Sequence, residues 1–400
     1  MINSLKNTCL RKVEGYFLQP SDKLKERNFD LIMDNIKIYL DNAASTPLDR
    51  EVYNVMTPYL LDQFGIPSAH HGYGRDAKAA IEISRASVAK LLNASPEEII
   101  FTSGGTEANN LAIVSAIECA FIDHVITTPF EHQPMLKTLK TLQRKHDVRI
   151  SYIRYDERGN LDINHLEYLL RTNTRNLVSV MHANNEVGNL NDIETIGLLC
   201  EKYKAIFHTD AAQTAGCYRH DLRKLKVNFL AASAHKFHGP KGIGILYCRK
   251  GSRLTPSLNS FTENIPGIIG LTKALAIAYG ETEKKEQLIQ SLKDRMIGKL
   301  SALVPGIRFN GNSADATKSI AAILSVNLPQ ARLNRNLLQY LDDNQIAVSG
   351  GDSSLSPVLK ALGIESGSDN LRFSFNKFNT LNEIDHVAEV VASVYQTVAA

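Results

Sequence analysis

Short apolar runs and longer amphipathic stretches alternate along most of this chain. The apolar runs have the length of buried strands, and several stretches between them have helical spacing, as in 133–145 and 193–203. Parallel strands joined by helices produce this alternation. The pattern predicts strands at 98–102, 124–128, 149–155, 177–181, 205–208, 228–232 and 243–248.

A second, smaller unit follows the alternating part. The charged amphipathic stretch 280–303 predicts a helix that leads into it, and runs at 320–328 and 371–375 predict strands of an α+β domain. Four hundred residues normally form two domains. We therefore predict an α/β fold with a mainly parallel sheet in its large domain.

The predicted boundaries place the large domain at 61–284 and the small domain at 36–60 together with 285–400. Residues 1–35 mix Lys, Arg, Asp and Glu and contain no apolar core of a secretory leader. This segment is predicted to be an N-terminal extension. Three interpretations of this segment stay open. It forms a short helix, it forms an arm that crosses to another subunit, or the start codon was assigned upstream of the true beginning of the protein.

The most informative polar segment is 233–244, Ser-Ala-His-Lys-Phe-His-Gly-Pro-Lys-Gly-Ile-Gly, which places Lys236 between two predicted strands. A lysine in a tight loop between buried strands loses water around its ammonium group. Its pKa then falls, and the neutral amine can form an imine with an aldehyde. Taken alone, the segment agrees equally well with an ordinary surface hairpin.

Three further polar clusters also follow predicted strands. Gly104 and Gly105 open a helical stretch from Thr106, and the free N–H groups at such a helix start suit a phosphate. Asp210 ends a predicted strand, where a carboxylate suits a protonated pyridine nitrogen, and a polar Asn-Asn-Glu turn follows 177–181. A simple helix cap explains Thr106 or Asp210 taken alone. Because ligands of open α/β sheets bind outside the carboxyl ends of the strands, we expect all four clusters to share one crevice.

Five motifs follow one another in a fixed order: Tyr39-Leu-Asp-Asn-Ala-Ala-Ser-Thr-Pro, Thr102-Ser-Gly-Gly-Thr-Glu-Ala-Asn-Asn, Met181-His-Ala-Asn-Asn-Glu-Val-Gly, His208-Thr-Asp-Ala-Ala-Gln and Ser233-Ala-His-Lys. Together they resemble the cysteine desulfurases, pyridoxal-phosphate enzymes of the class V aminotransferase group. The resemblance extends from about Tyr39 to the C-terminus. It implies a fold-type I enzyme that binds pyridoxal 5′-phosphate, is usually a homodimer, and has each active site between a large and a small domain.

The resemblance also implies roles for particular residues. Lys236 is implied as the Schiff-base lysine, and Asp210 as the partner of the pyridine nitrogen. His132 is implied to stack on the ring and to shuttle protons. Arg372 is implied to clamp the substrate α-carboxylate, which suits a planar guanidinium, with Asn42 nearby. The other implied cofactor ligands are Gly105, then Thr106, Ser233 and His235 at the phosphate, Asn185 and Gln213 near the ring's phenolic oxygen, and Thr262 from the partner subunit; Asn185 also faces the substrate.

The sequence departs from the family at the catalytic cysteine. The family carries it on a loop before a helix like 357–363, but this chain reads Ser-Gly-Gly-Asp-Ser-Ser-Leu-Ser at 349–356, a shortened segment with no Cys. The hydroxyl of Ser353 or Ser354 stays protonated at neutral pH and forms no stable persulfide, so it does not replace a thiolate. Cys9, Cys119, Cys200, Cys217 and Cys248 do not match that loop, and the loop before Thr262 is shortened as well.

We therefore expect a pyridoxal-phosphate enzyme that acts on L-cysteine or a related amino acid through an imine with the cofactor. The family reaction converts L-cysteine to L-alanine and passes sulfur to a cysteine, a half-reaction that this chain is not expected to complete unaided. The alternatives are C–S lyase chemistry by β-elimination, an aminotransferase, a non-catalytic homologue that pairs with a working desulfurase, and a desulfurase that uses the thiol of another protein.

Composition narrows the partners and the compartment. The net charge is +3 with acidic and basic residues interspersed, so no basic stripe indicates nucleic acid. No apolar run has the length of a membrane span. Five unpatterned cysteines indicate no metal site and fit a reducing cytoplasm. The expected partners are a small amino acid, a second copy of the chain and a sulfur-acceptor protein.

Overall fold

The structure is a computed structural model, and it describes residues 38–254, 263–329, 336–352, 356–364 and 369–395. Four residues named above, Cys9, Thr262, Ser353 and Ser354, lie outside the described residues, as does the predicted N-terminal extension.

The strands and helices of the described residues agree closely with the alternating pattern. In chain order the strands are β1 (Ile38–Tyr39), β2 (Ile99–Thr102), β3 (His124–Thr127), β4 (Arg149–Tyr152), β5 (Asn176–Ser179), β6 (Ile206–Asp210), β7 (Phe229–Ser233), β8 (Gly244–Cys248), β9 (Arg308–Phe309), β10 (Ile323–Leu328), β11 (Ile346–Ala347), β12 (Ser349–Asp352) and β13 (Asp369–Ser374). The helices are α1 (Arg50–Leu61), α2 (Gly72–Leu91), α3 (Gly105–Cys119), α4 (Gln133–His146), α5 (Ile163–Thr172), α6 (Ile193–Lys202), α7 (Ile265–Gly280), α8 (Thr282–Leu303), α9 (Leu337–Asp343), α10 (Pro357–Ala361) and α11 (Leu381–Ser393).

The central sheet has seven strands in the order β2-β8-β7-β6-β5-β3-β4. The predicted mainly parallel α/β fold is confirmed, because β7, β6, β5, β3 and β4 form an unbroken parallel set. Strand β8 is the exception in this mainly parallel sheet, because it runs antiparallel to both β7 and β2. Only residues 234–243 separate β7 from β8, and this connection is too short for the crossover that a parallel pair needs.

Both faces of this sheet are covered, which explains why its inner strands are buried along their whole length rather than on alternate residues. Every residue of β3, β5, β7 and β8 is buried. One face packs against α3 and α4, where Ala112 and Leu139 contribute to a core with Phe229. The other face packs against α2, α6 and α7. Helix α3 is therefore held rigidly over the centre of the sheet.

A separate core lies under a four-stranded antiparallel sheet of order β12-β13-β10-β9. Leu292 and Met296 of α8 and Val387 of α11 pack there against Phe373. Strand β1 joins this region through a parallel pair with β11. The predicted stretch 280–303 corresponds to α8, which begins at Thr282, directly after α7 ends at Gly280. The domain boundaries themselves stay a prediction.

The carboxyl ends of β2, β3, β5, β6 and β7 meet at one edge of the central sheet, because β2 is antiparallel to a strand that is itself antiparallel to β7. Gly244 begins β8 at this edge. A Cβ atom there would lie 2.7 Å from the carbonyl carbon of Gly104, so the absence of a side chain lets the turn before α3 approach the sheet. Within the described ranges, no helix combines the length and apolarity that crossing a bilayer requires.

Candidate active site

A cavity of about 590 Å³ opens at this edge of the sheet. The structure brings together in its wall all the cofactor residues expected from the sequence that it describes: Gly105, Thr106, His132, Asn185, Asp210, Gln213, Ser233, His235 and Lys236. These residues come from several separate segments of the chain. The predicted convergence of strand ends therefore places them side by side, and their individual roles stay predictions.

Lys236 ends a short 3₁₀ turn, Ala234–Lys236, between β7 and β8. Its Nζ donates hydrogen bonds to the backbone carbonyls of Ala43, at 2.5 Å, and Ala44, at 2.9 Å. Burial, followed by the positive charge of Arg372, lowers the pKa of the amine to about 8. The amine therefore gives up its proton more readily than the amine of an exposed lysine.

Residues 43–46, which supply these carbonyls, are hydrogen-bonded to the turn that contains Lys236. The backbone N–H of Thr46 donates to the carbonyl of His235 at 2.8 Å, and the Thr46 side-chain oxygen accepts from the N–H of His238 at 2.8 Å. The amide of Gln213 donates to the same Ala43 carbonyl that Lys236 contacts, at 3.0 Å. Residues 43–46 thus pack against the lysine turn and hold the lysine in place.

Asp210 lies in the cavity wall at the end of β6. Its Oδ1 accepts from the backbone N–H of Ala212 at 2.8 Å, and its Oδ2 accepts from the side-chain amide of Asn109 at 2.6 Å. The side chain is buried. Both hydrogen bonds come from neutral donors, so the carboxylate keeps its negative charge available to a cationic group in the cavity.

The start of α3 forms the anion-binding end of the cavity. Gly104 and Gly105 leave room above the first turn, and Thr106, Ser233 and His235 line the cavity together with Lys241. The first N–H groups of a helix have no partner within it, and the helix dipole adds partial positive charge. Burial, followed by the charges of Lys236 and Lys241, lowers the pKa of His235 to about 4. The neutral imidazole leaves a hydrogen-bond donor at this end.

This donor set fits pyridoxal 5′-phosphate. The helix start and its hydroxyl groups suit the phosphate dianion, the carboxylate of Asp210 suits a protonated ring nitrogen, and the amine of Lys236 suits the aldehyde. All three lie in the wall of one cavity.

A second cavity of about 500 Å³ adjoins the first and shares His132 and Asn185 with it. Arg372 of β13 lines this cavity. Its Nη2 donates to Asp41 at 2.6 Å and to the hydroxyl of Ser349 at 2.8 Å, and its Nη1 donates to the carbonyl of Asn185 at 2.8 Å. Its Nε is buried and has no partner among the described residues. The guanidinium is fixed, and one of its donors is unused.

The two ends of the shortened segment also lie in this second cavity. Ser349 and Gly350 line it from one end, and Ser356 and Pro357 from the other. The hydroxyl of Ser356 donates to the carboxylate of Glu186. The two described ends of the segment thus bring hydroxyl groups into the cavity that Arg372 lines.

Asn42 is the described site residue that lies apart from both cavities. Its amide donates to the carbonyl of Ser374 at 2.7 Å, and its oxygen accepts from Asn376 at 2.5 Å. The side chain is buried. These bonds attach the first motif to β13, so Asn42 supports the wall that carries Arg372.

The four described cysteines all lie outside the walls of both cavities. Cys200 and Cys248 are buried, and burial raises the pKa of both thiols, that of Cys248 to about 12. Cys119, which ends its helix, and Cys217 are half-buried.

Sequence reasoning missed several buried polar residues behind the site. Asn109 and His208 belong to the motifs above, but neither the motifs nor the resemblance indicates a role for them. Glu131 directly precedes His132. Its Oε1 accepts from the N–H of Met181 and the hydroxyl of Thr128, both at 2.9 Å, and its Oε2 is buried without a partner among the described residues. The available signal was a Glu in the short turn 128–132, which directly follows a buried strand.

Comparison with known proteins gives consistent matches. The family model described as "Aminotransferase class-V" matches residues 38–387. The chain is similar to the cysteine desulfurase IscS of Dictyoglomus turgidum, with 36% identity over 380 residues that cover 90% of this chain and 95% of the relative. It is similar in structure to a NifS-like protein, with a TM-score of 0.82, 34% identity, and coverage of 89% and 98%. A solved structure of SspA in complex with cysteine matches with a TM-score of 0.73, 29% identity, and coverage of 86% and 100%.

The first prediction concerns the charge state of Glu131. Burial, and then the charge of Asp210, raise its pKa from 4.5 to about 8. Between those pH values the folded protein keeps a proton that the unfolded chain has lost, so stability falls as pH rises through this window. Glu131→Gln keeps the acceptor and removes the titration. We expect its melting temperature, relative to the wild type, to rise progressively between pH 5 and pH 8.

Asp385→Asn is the matched control. The hydrogen bond from Arg295 lowers the pKa of Asp385, so that carboxylate stays ionised throughout the same pH range. The melting-temperature difference between this variant and the wild type should be constant from pH 5 to pH 8. A constant difference for Glu131→Gln as well would contradict the prediction.

Proposed function

Because this chain belongs to the class V aminotransferases, and among them to the cysteine desulfurases, we propose that it is a pyridoxal-phosphate enzyme that acts on L-cysteine or a related amino acid. Members of this family are enzymes that use pyridoxal 5′-phosphate. The observation that carries the proposal is the arrangement of Lys236 and Asp210 in one cavity and Arg372 in the adjoining one.

Different residues of the first cavity bind different parts of the cofactor. The start of α3, with Thr106, Ser233 and His235, binds the phosphate, and Asp210 binds the ring nitrogen. When bound, the cofactor supplies an electron sink for a carbanion at the substrate Cα. Lys236 Nζ attaches the cofactor and then takes and holds the Cα proton, for which a pKa of about 8 is well placed. His132 lines both cavities, so its imidazole would lie between a cofactor held in the first cavity and a substrate held in the second.

Arg372 orients the substrate. Hydrogen bonds to Asp41, Ser349 and the carbonyl of Asn185 hold its guanidinium in a fixed plane, and a fixed guanidinium plane suits an α-carboxylate. One of the similar solved structures, that of SspA, is a complex with cysteine, and the name of the IscS relatives points to the same substrate class.

The sulfur half-reaction is the part in which this chain departs from its family. The last cysteine in the sequence is Cys248, so no thiol lies near the ends of the shortened segment in the primary structure. Ser349 and Ser356, which flank the second cavity, offer only hydroxyl groups, and these do not carry sulfane sulfur. We therefore propose that a thiol from another molecule takes the sulfur.

A reducing cytoplasm suits an external thiol, because thiols stay reduced there. C–S lyase chemistry by β-elimination remains the second candidate, because a cavity without its own acceptor thiol leaves a carbanion at Cα free to expel the β-substituent.

We further propose a homodimer. Large apolar side chains are exposed along α1 and the chain that follows it: Tyr53, Leu60, Leu61, Phe64, Ile66 and Tyr73. Leu61 is 69% and Phe64 is 71% exposed. A concentration of exposed apolar side chains of this kind is typical of a protein interface.

Replacing the lysine tests the core of the proposal. Borohydride should fix one pyridoxal group per wild-type chain, and Lys236→Ala should abolish both this fixation and the visible absorption of the holoenzyme. Turnover should fall roughly 10²- to 10⁴-fold, the usual contribution of a positioned proton carrier. Lys241→Ala, which changes the other lysine in the cavity wall, should keep the fixation. Fixation that persists in Lys236→Ala would contradict the assignment.

Product analysis tests the sulfur half-reaction. With L-cysteine alone, the holoenzyme should form no stoichiometric pair of alanine and protein persulfide. Alanine should appear when a dithiol or a thiol-bearing acceptor protein is added, whereas pyruvate with sulfide identifies β-elimination. Alanine in equal amount with a persulfide on one of the chain's own five cysteines would overturn the proposal.

Charged residues in the apolar surface test the homodimer. The double variant Leu61→Glu, Phe64→Glu should sediment as a monomer, because two carboxylates would have to lose water in the interface. Leu198→Glu places the same charge at an exposed apolar position on α6 (58% exposed) and should leave the mass unchanged. A wild-type monomer, or a double variant that still dimerises, would contradict this interface.

A further inference from the structure

We propose that Asn109, His208 and Ser179 form a hydrogen-bond relay that holds Asp210 in place for the cofactor ring, which makes them positioning residues for the reaction. This inference rests on the proposed function, and it concerns groups that act on the cofactor only through Asp210.

Three consecutive hydrogen bonds form the relay. Asn109 Nδ2 lies 2.6 Å from Asp210 Oδ2, His208 Nε2 lies 2.9 Å from Asn109 Oδ1, and Ser179 Oγ lies 2.8 Å from His208 Nδ1. All four side chains belong to residues that are at most 5% exposed. Water therefore does not replace any of these contacts, and each lost bond leaves a buried polar group without a partner.

The direction of each hydrogen bond follows from the chemistry of the groups. An ionised carboxylate only accepts, so Asn109 turns its amide nitrogen toward Asp210 and its oxygen toward His208. That oxygen also only accepts, so the proton of His208 sits on Nε2. The unprotonated Nδ1 then accepts from the hydroxyl of Ser179. One tautomer and one amide orientation satisfy all three bonds.

The relay contains no positive charge. Burial lowers the pKa of His208 to about 3, so its imidazole is neutral at ordinary pH. None of the ion pairs found among the described residues involves Asp210. A cation behind the carboxylate would compete with a protonated ring nitrogen. Neutral donors fix its orientation and leave its charge for the cavity.

The relay links the phosphate end of the cavity to the end that contains Asp210. Asn109 lies one turn after Thr106 on α3, so one rigid helix contacts the phosphate end and Asp210. His208 and Asp210 are two residues apart on β6 and face the same side of the sheet. Ser179 is the direct neighbour of His208 on β5. The carboxylate is thus tied to a helix and to two strands.

The test uses the holoenzyme and the variants Asn109→Ala and Asn110→Ala. Asn110 is the adjacent asparagine of α3, and its oxygen accepts from Thr138, away from the site. We expect Asn109→Ala to weaken cofactor retention roughly tenfold to hundredfold, since a hydrogen bond to a charged group is lost. We also expect the pH midpoint of the bound cofactor's visible absorption band to rise by about one unit, because a less firmly protonated ring nitrogen withdraws fewer electrons.

Asn110→Ala should keep the wild-type midpoint and retention. If Asn109→Ala has the melting temperature and the pH midpoint of the wild type, the relay is overturned. Equal losses of cofactor retention in Asn109→Ala and Asn110→Ala would also overturn it, because they indicate a structural role only. If Asn109→Ala does not fold, Ser179→Ala decides: a smaller upward shift of the midpoint supports the relay, and no shift overturns it. A wild-type protein that binds no cofactor at all would instead overturn the proposed function.

His208 provides a rescue experiment. His208→Gln keeps a donor toward Asn109, whereas His208→Phe fills the space without one. We expect the midpoint of the Gln variant to lie closer to the wild type than that of the Phe variant. The same shift in both variants would show that the donor does not matter and would contradict the direction of the relay.

Discussion

The hydrogen bonds from Lys236 Nζ to the carbonyls of Ala43 and Ala44 are the contacts on which the site depends. They join segments 193 and 192 residues apart in the chain. These hydrogen bonds hold the segment that follows β1 against the edge of the central sheet. Strand β1 itself pairs with β11. The lysine is therefore enclosed by both parts of the fold, and this enclosure removes the water that would otherwise stabilise its charge.

The same principle organises the acidic side of the cavity. Neutral hydrogen-bond donors hold the buried carboxylate of Asp210, and Glu131 is buried with no cation beside it among the described residues. Burial raises the pKa of Glu131 to about 8, so below that pH this buried carboxyl adds no negative charge behind the cavity. The electrostatics of the cavity is thus built from the backbone and from uncharged side chains as much as from its ions.

Much of this was predictable from the sequence, and the reason is physical. Buried parallel strands need continuous apolar runs, so β3, β5 and β7 were found within one or two residues, and their polar ends marked the cavity. Long-range partners were not predictable. Asn109 and Asp210 are 101 residues apart, and no local pattern indicates that an amide on α3 faces a carboxylate on β6. The direction of β8 depends on the length of its connection, which the apolar pattern does not encode, and Asn42 faces β13 because of how β1 pairs.

Arg372 and Asp41 contribute to the basicity of Lys236 in opposite senses. The guanidinium lowers the pKa of the amine, and the carboxylate of Asp41 raises it. On the proposed function, an amino acid that lays its carboxylate on Arg372 would neutralise the cation that suppresses this basicity. Its arrival would then strengthen the base in the adjoining cavity. Selectivity for α-amino acids and the timing of deprotonation would thereby have a common electrostatic origin.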